Sequence, residues 1–438
     1  MSWRSSPGVT SRRSSPPVPG ASAYRGLPPV RLDGGTSHRI GSGIGPNFGG
    51  GPHQRLRRLL RQVFGSGSRL WHLDWVLLLA VLALSGVGTL LVWAATSTAG
   101  ASTSDPYLTK DILNIAIGLV LMGGVSLLDY RQLRMWAPVV LAVSCLGLVV
   151  VLMPLGHITA PVNGAKSWIT LPGGFQIEPS EYAKLSVVLV GAILLGQLRP
   201  GETRPGPKAL AKTVGLAAVP LLLVVAEPDL GVTILLVALL VGMIALSGVR
   251  LRWLAAIVAV GALAVGAVAK LHLLKAYQIS RLTSFLHPSA NPQSTGYSAA
   301  QSKIAIASGG LFGQGLFHGQ LISGGFVPEK QTDFIFATAG EEIGFVGCMV
   351  IIALLAIVLF RAIMIAARAD DQFGMLVASG IAIWFAVQSF INIGMTIGIM
   401  PVTGLPLPFV SYGGSAIFAD MIAIGALQAV HRHRTVFA

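Results

Sequence analysis

Apolar residues fall in runs of about twenty along most of the chain, the length that crosses a hydrocarbon core as a helix. The runs begin near Trp75, Ile112, Leu133, Ala183, Val214, Val232, Trp253, Phe334, Met375 and Ile417. A bilayer leaves no water for unpaired backbone groups, so runs of this kind predict helices. The expected fold is all-α: a polytopic membrane protein with about ten transmembrane helices. Gly and Pro interrupt several runs, which blurs their ends by a few residues.

The stretches between the runs alternate in charge. Arg131 and Arg134 separate runs two and three, and Arg199, Arg204, Lys208 and Lys212 separate runs four and five. Arg250 and Arg252 precede run seven, Arg361 and Arg368 follow run eight, and His431–Arg434 closes the last run. Basic connections stay on the cytoplasmic side, so both termini are expected there. The alternate connections then face outward. They are 154–179, containing NGAKSWITLPGGF; the tight turn Glu227-Pro228-Asp229; the long stretch 271–332 between runs seven and eight; and PVTGLPLPFVSYGGS at 401–415. A connection of about sixty residues is functional or locally folded as a rule. This one holds the amphipathic piece TGYSAAQSKIAIASGG at 295–310.

Composition agrees with a membrane protein: 53% hydrophobic residues, 11% charged, and mean hydropathy +0.72. The net charge of +14 gathers at the front, where residues 1–72 carry eleven arginines against the single acid Asp33. That tail is rich in Ser, Pro and Gly, cannot build a core and is expected to be disordered. RLRRLLRQVF at 55–64 can form a basic amphipathic helix, for which anionic lipid is the fitting partner. No interleaved aromatics or presenting fold point to nucleic acid. Arg12-Arg13 is followed by no apolar region until about Leu73, so a cleaved signal is not expected. Cys145 and Cys348 lie inside apolar runs and read as small buried side chains.

The chemistry concentrates in FVPEKQTDFIFATAGEEIGFVG at 326–347. Asp333 stands at the mouth of an apolar helix, with Glu341 and Glu342 inside it. Ionisable groups at membrane depth are functional candidates by default. The structural alternative is an aspartate favoured by the helix dipole, with Thr332 as the cap. Arg281, Lys303 and Lys330 share the long connection with Asp333, and Lys166 comes from the earlier one. Cations beside glycine-rich backbone suit a phosphate or pyrophosphate, and a nearby carboxylate can take a proton from a hydroxyl. Each lysine alone reads equally as a surface charge. Glu341 and Glu342, the i,i+3 pair Glu181 and Lys184, and the face made by Gln388 and Asn392 read first as interhelical polar contacts.

NGAKSWI, EPSEYAKL, EPDLG, GYSAAQSKIAIASGGLFGQGL, VPEKQTDFIFATAGEEIGFVG and NIGMTIGIMPVTGLPLPFVSYGGS occur in this order. With these motifs the chain resembles the SEDS (shape, elongation, division and sporulation) proteins, RodA and FtsW. QSKIAIASGGLFGQGL looks closer to RodA. The resemblance covers a transmembrane domain at 73–434 and leaves out the tail and the C-terminal residues 435–438. It implies a peptidoglycan glycosyltransferase of the bacterial plasma membrane. Such an enzyme polymerises lipid II on the outer face with inversion and releases undecaprenyl pyrophosphate. It further implies Asp333 as the catalytic residue, a divalent cation such as Mg or Mn, and a class B penicillin-binding protein as partner. Lys303, Lys330, Arg281 and Lys166, with Ser302 and Gln301 beside Lys303, are the expected substrate contacts. Gln314 stands where many relatives carry a basic residue, and Asn291 where an acid is common. A lipid II flippase working through the charges inside the spans, and a scaffold without chemistry, are the alternatives.

Overall fold

The computed structural model describes residues 73–97, 106–153, 167–170, 176–197, 204–271, 279, 281, 285 and 295–437. The tail with its expected helix at 55–64, Lys166 and Asn291 lie outside the described residues.

An apolar helix stands at each expected run. The helices are α1 (Trp75–Thr96), α2 (Pro106–Leu127), α3 (Tyr130–Leu152), α4 (Pro179–Gly196), α5 (Pro207–Ala226), α6 (Leu230–Leu246) and α7 (Leu251–Lys270), then, after three short helices, α11 (Gly344–Ala367), α12 (Gln372–Ile397) and α13 (Gly414–Phe437). Eight of them are long and apolar enough to cross a membrane, while α6 and the Leu251–Ala264 part of α7 are shorter. The chain is a multi-pass membrane protein. Its only strands among the described residues are β1 (Ile169–Thr170) and β2 (Gln176–Ile177), which pair antiparallel ahead of α4.

Local chemistry sets the helix ends. Asp74, Asp229 and Asp371 accept from the backbone N–H of Leu77, Val232 and Gly374, the N-cap bond that satisfies an orphan donor. Pro179 and Pro207 open α4 and α5, where a missing N–H costs nothing. Buried residues cover most of α4 and α12, which form the centre, with α13 packed along α2 and beside them. Trp384, Phe385, Leu189, Leu235 and Met243 fill that centre. The surrounding helices leave large side chains such as Val120, Val143, Leu222 and Phe360 exposed, as lipid-facing helices do. By contrast α7 exposes nearly every side chain described and touches chiefly α6.

The basic end of the bundle is tied by charge and amide groups. The Arg361 guanidinium reaches the buried Asp74 carboxylate (Nε–Oδ2 2.7 Å), and Gln428 exchanges two hydrogen bonds with the Asp74 backbone. Arg432 donates to the carbonyls of Leu127 and Leu128 at the end of α2.

The run expected from Phe334 is divided. The short helix α10 (Ile335–Glu342) precedes α11, and the break falls at Gly344, whose φ is +69°. Glu341 and Glu342 therefore close a separate helix ahead of the span instead of lying within it. Two further short helices, α8 (Thr295–Gly309) and α9 (Gln320–Ser323), fold the end of the long connection against α10. The crossing of α8 and α10 is so close that a Cβ on Gly309 would sit 1.9 Å from the Gly340 carbonyl oxygen.

Candidate active site

Asp333 lies one residue before the cap of α10 and does not cap it. The cap position is Phe334, with no side-chain bond, and the Thr332 hydroxyl turns back to Glu329 instead. Thr332 therefore does not cap this helix, contrary to the structural alternative drawn from the sequence. The half-buried Asp333 side chain faces the connection between α12 and α13, where a Cβ added to Gly404 (φ +85°) would lie 3.5 Å from Asp333 Oδ2. That distance is ordinary van der Waals contact, and it is the left-handed backbone that favours glycine here.

That connection and the Asp333 segment are stitched together. The Ser411 hydroxyl donates to the Thr332 carbonyl (2.6 Å), and the Tyr412 N–H donates to the Gln331 carbonyl (2.9 Å). Asn392, on α12, donates from Nδ2 both to the Asp333 carbonyl (2.9 Å) and to the Leu405 carbonyl (2.8 Å). One turn earlier Gln388 donates to the Pro406 carbonyl (2.8 Å). Arg281 joins from the long connection, its Nη1 donating to the Thr403 carbonyl (3.0 Å).

The electrostatics are unusual for so acidic a place. Burial first, then the Glu329 and Asp229 carboxylates, push Asp333 up to about 7, against the opposing pull of Arg281. Burial raises Glu227 to about 9, helped by Glu178 and Asp229, and Glu178 to about 8, helped by Glu181 and Asp229. Both carboxyl oxygens of the buried Glu227 lack a hydrogen-bond partner. Burial thus favours the uncharged forms of Glu227 and Glu178. Among the described residues, no three His, Cys, Asp or Glu side chains are grouped as a metal ion held by protein alone would need. Asp333 as a single carboxylate matches the way Mg is shared between a protein carboxylate and substrate phosphates.

The family model of the FtsW, RodA and SpoVE cell cycle proteins matches residues 74–436. The chain belongs to this family, the SEDS proteins. Among similar curated SEDS proteins is the peptidoglycan glycosyltransferase MrdB of Escherichia coli (strain K12), 38% identical over 84% of this chain and 95% of that protein. Another is a probable peptidoglycan glycosyltransferase FtsW of Trichlorobacter lovleyi, 36% identical over 85% of this chain and 95% of its own length. A solved peptidoglycan synthase complex, described as coordinating polymerization and crosslinking, matches with a TM-score of 0.68 and 29% identity, covering 83% of this chain and 98% of that one.

Within this SEDS chain the other expected site residues separate into two groups. Arg281 is beside Asp333, through Thr403 and through charge. Lys303 is exposed and packs its side chain against Gly398, at the end of α12 (a Cβ there would be 3.3 Å from Nζ). Ser302 is buried and donates to the Thr396 carbonyl (2.9 Å), while Gln301 is half-buried on the same helix. Lys330 is committed inward: its ammonium donates to the Ile322 carbonyl. Burial lowers its pKa, with Glu342 and Glu341 opposing.

Glu341 and Glu342 organise the 309–326 segment. The Glu341 carboxylate accepts from the N–H of Leu321 (2.8 Å) and Ile322 (2.9 Å) at the start of α9, and Glu342 accepts from the Phe317 N–H (2.7 Å). Glu181 and Lys184 form a buried ion pair. Lys184 donates also to Gln388 Oε1 (3.0 Å), which takes a second bond from Trp384 Nε1 (2.7 Å). Sequence reasoning assigned no site role to Gly404, Asn392, Ser411 or Asp229. Asp229 carried a usable signal, an acidic turn between two apolar runs, and Asn392 another, as part of a polar helix face.

Proposed function

We propose that the chain is a peptidoglycan glycosyltransferase that polymerises lipid II into β-1,4 glycan strands at the outer face of the bacterial plasma membrane, for elongation and shape. The 4-hydroxyl of the acceptor GlcNAc attacks the anomeric carbon of the donor MurNAc. Its proton passes to an Asp333 carboxylate oxygen as the C–O bond forms. The α-linked undecaprenyl pyrophosphate departs with the bonding electrons, and inversion yields the β-linkage. The observation that carries this reading is Asp333 itself: a half-buried carboxylate with no capping role, poised near neutrality, which is where a general base works best.

Arg281 acts on Asp333 through charge, favouring its ionised form, while offering charge to the departing pyrophosphate. Lys303 has no partner among the described residues and is the second candidate for that charge. Lys330 serves the fold of the connection first. A divalent cation bound at Asp333 would add charge stabilisation to the leaving group. The basic connections support placing both termini in the cytoplasm. The similarity to a complex coordinating polymerization and crosslinking supports a class B penicillin-binding protein as partner. Anionic lipid remains our proposal for the basic tail.

The test is lipid II polymerisation by the purified protein with its cognate transpeptidase. Wild type makes glycan strands, and Asp333→Asn, still folded and partner-bound, makes none. Equal polymerisation by both would place the base elsewhere. A scaffold would tolerate the change, and a flippase would show transport without strands.

A further inference from the structure

We infer that Asn392 is a positioning residue for Asp333, an inference that rests on the reading of Asp333 as the base. Asn392 is fully buried on α12, within the most buried part of the bundle, and does not touch the Asp333 carboxylate. Its Nδ2 spends one N–H on the Asp333 carbonyl (2.9 Å) and the other on the Leu405 carbonyl (2.8 Å). A single amide thus sets the distance between the chain carrying the carboxylate and the chain that the carboxylate faces, next to Gly404. Its Oδ1 is buried and has no hydrogen-bond partner. An unpaired buried acceptor is costly, and apolar packing alone would not retain it. The two donated bonds are what the amide is there for.

The ledge beneath is stiff. Gln388 sits one turn before Asn392 and holds Pro406, the residue after Leu405, while its own oxygen is fixed by Lys184 and Trp384. Ser411 and Tyr412 bind Thr332 and Gln331 from the side. Asn392 is the only one of these contacts that reaches residue 333 itself. Losing it leaves the neighbouring residues of both segments tied, and of the Asp333–Phe334 peptide only the N–H stays held, by the Glu329 carbonyl (3.1 Å), while the Asp333 carbonyl is released. The carboxylate then shifts relative to the acceptor hydroxyl, and a displacement of about 1 Å at a reacting group costs on the order of a hundredfold in rate.

The experiment compares wild type, Asn392→Asp and Asn392→Ala, each purified with the transpeptidase partner, in steady-state lipid II polymerisation. Asn392→Asp keeps the shape and removes at least one of the two donors. Asn392→Ala removes both and leaves room for water at the two carbonyls. The expected result is a fall in kcat of about ten- to a hundredfold with KM for lipid II within about twofold, in complexes that remain assembled. Unchanged kcat, or a rise in KM alone, overturns the inference. Failure of both variants to fold overturns it as well, because Asn392 then belongs to the fold. Asp333→Asn is run alongside. If it polymerises, the reading of the base is what has failed; if it is inactive while both Asn392 variants match wild type, only the positioning role has failed.

Discussion

Asp333 concentrates the argument at the residue scale. Its carboxyl is held near 7 by burial and by Glu329 and Asp229, so its protonation changes within the physiological range. A general base acts in its ionised form, so the rate is lost as pH falls through that value and is retained above it. Polymerisation by the wild-type complex should therefore rise roughly tenfold per pH unit below about 7 and level off above it. A rate that stays flat through that region, with the complex intact, would remove Asp333 from the role. The sequence singles this residue out, because a lone acid at the edge of an apolar run is conspicuous. It misjudged the local chemistry of Thr332, whose hydroxyl donates to Glu329 instead of capping the helix it precedes. Asn392 was visible as part of a polar face, but its partners lie 59 and 13 residues away in sequence, and no periodicity encodes them.

At the scale of elements, the short helices α8, α9 and α10 form one unit held by backbone contact and two carboxylates. Gly309→Val would drive α8 away from α10, since even a Cβ there would stand 1.9 Å from the Gly340 oxygen. The expected outcome is a lower thermal midpoint, by an amount corresponding to about 1–3 kcal/mol, with polymerisation reduced in parallel. Glu341→Gln removes the charge that receives Leu321 and Ile322, leaving one acceptor oxygen for two donors. Amide exchange at those two positions should accelerate while the helices of the bundle centre stay protected. The sequence showed the helical character of 295–310 and the presence of both glutamates. It did not show the break before α11, because Gly344 reads as an ordinary residue within an apolar run until its contacts with the 309–315 segment are known.

For the whole molecule, the buried pair of Glu181 and Lys184 separates structural from transport roles. Lys184 is fixed by Glu181, by Gln388 and by the face of Trp384, 4.8 Å from its ring centre. Lys184→Met strands a buried carboxylate and is expected to destabilise by about 3–5 kcal/mol, while Glu181→Gln with Lys184→Met restores much of the loss. If the pair is structural, the folded double variant polymerises lipid II at a rate near that of wild type. A folded double variant without activity would give these charges a part in the reaction. The all-α, multi-pass architecture was legible throughout, since length and apolarity in a bilayer leave few other solutions; eight of the described helices are long and apolar enough to span. The partition into a buried centre of α4, α12 and α13 and a lipid-facing periphery was not, because both kinds of helix are apolar all round.

The nearly uncovered surface of α7 has a material consequence. Among the described residues α7 packs chiefly on α6 and turns apolar side chains such as Val258, Val260 and Leu263 outward, as a lipid-facing helix does. Arg281, which follows α7 in sequence, donates to the Thr403 carbonyl in the connection that Asp333 faces. Membrane thickness is thereby part of this protein's architecture. Reconstitution in lipids of graded chain length should alter turnover more than the stability of the central helices, whose neighbours are protein.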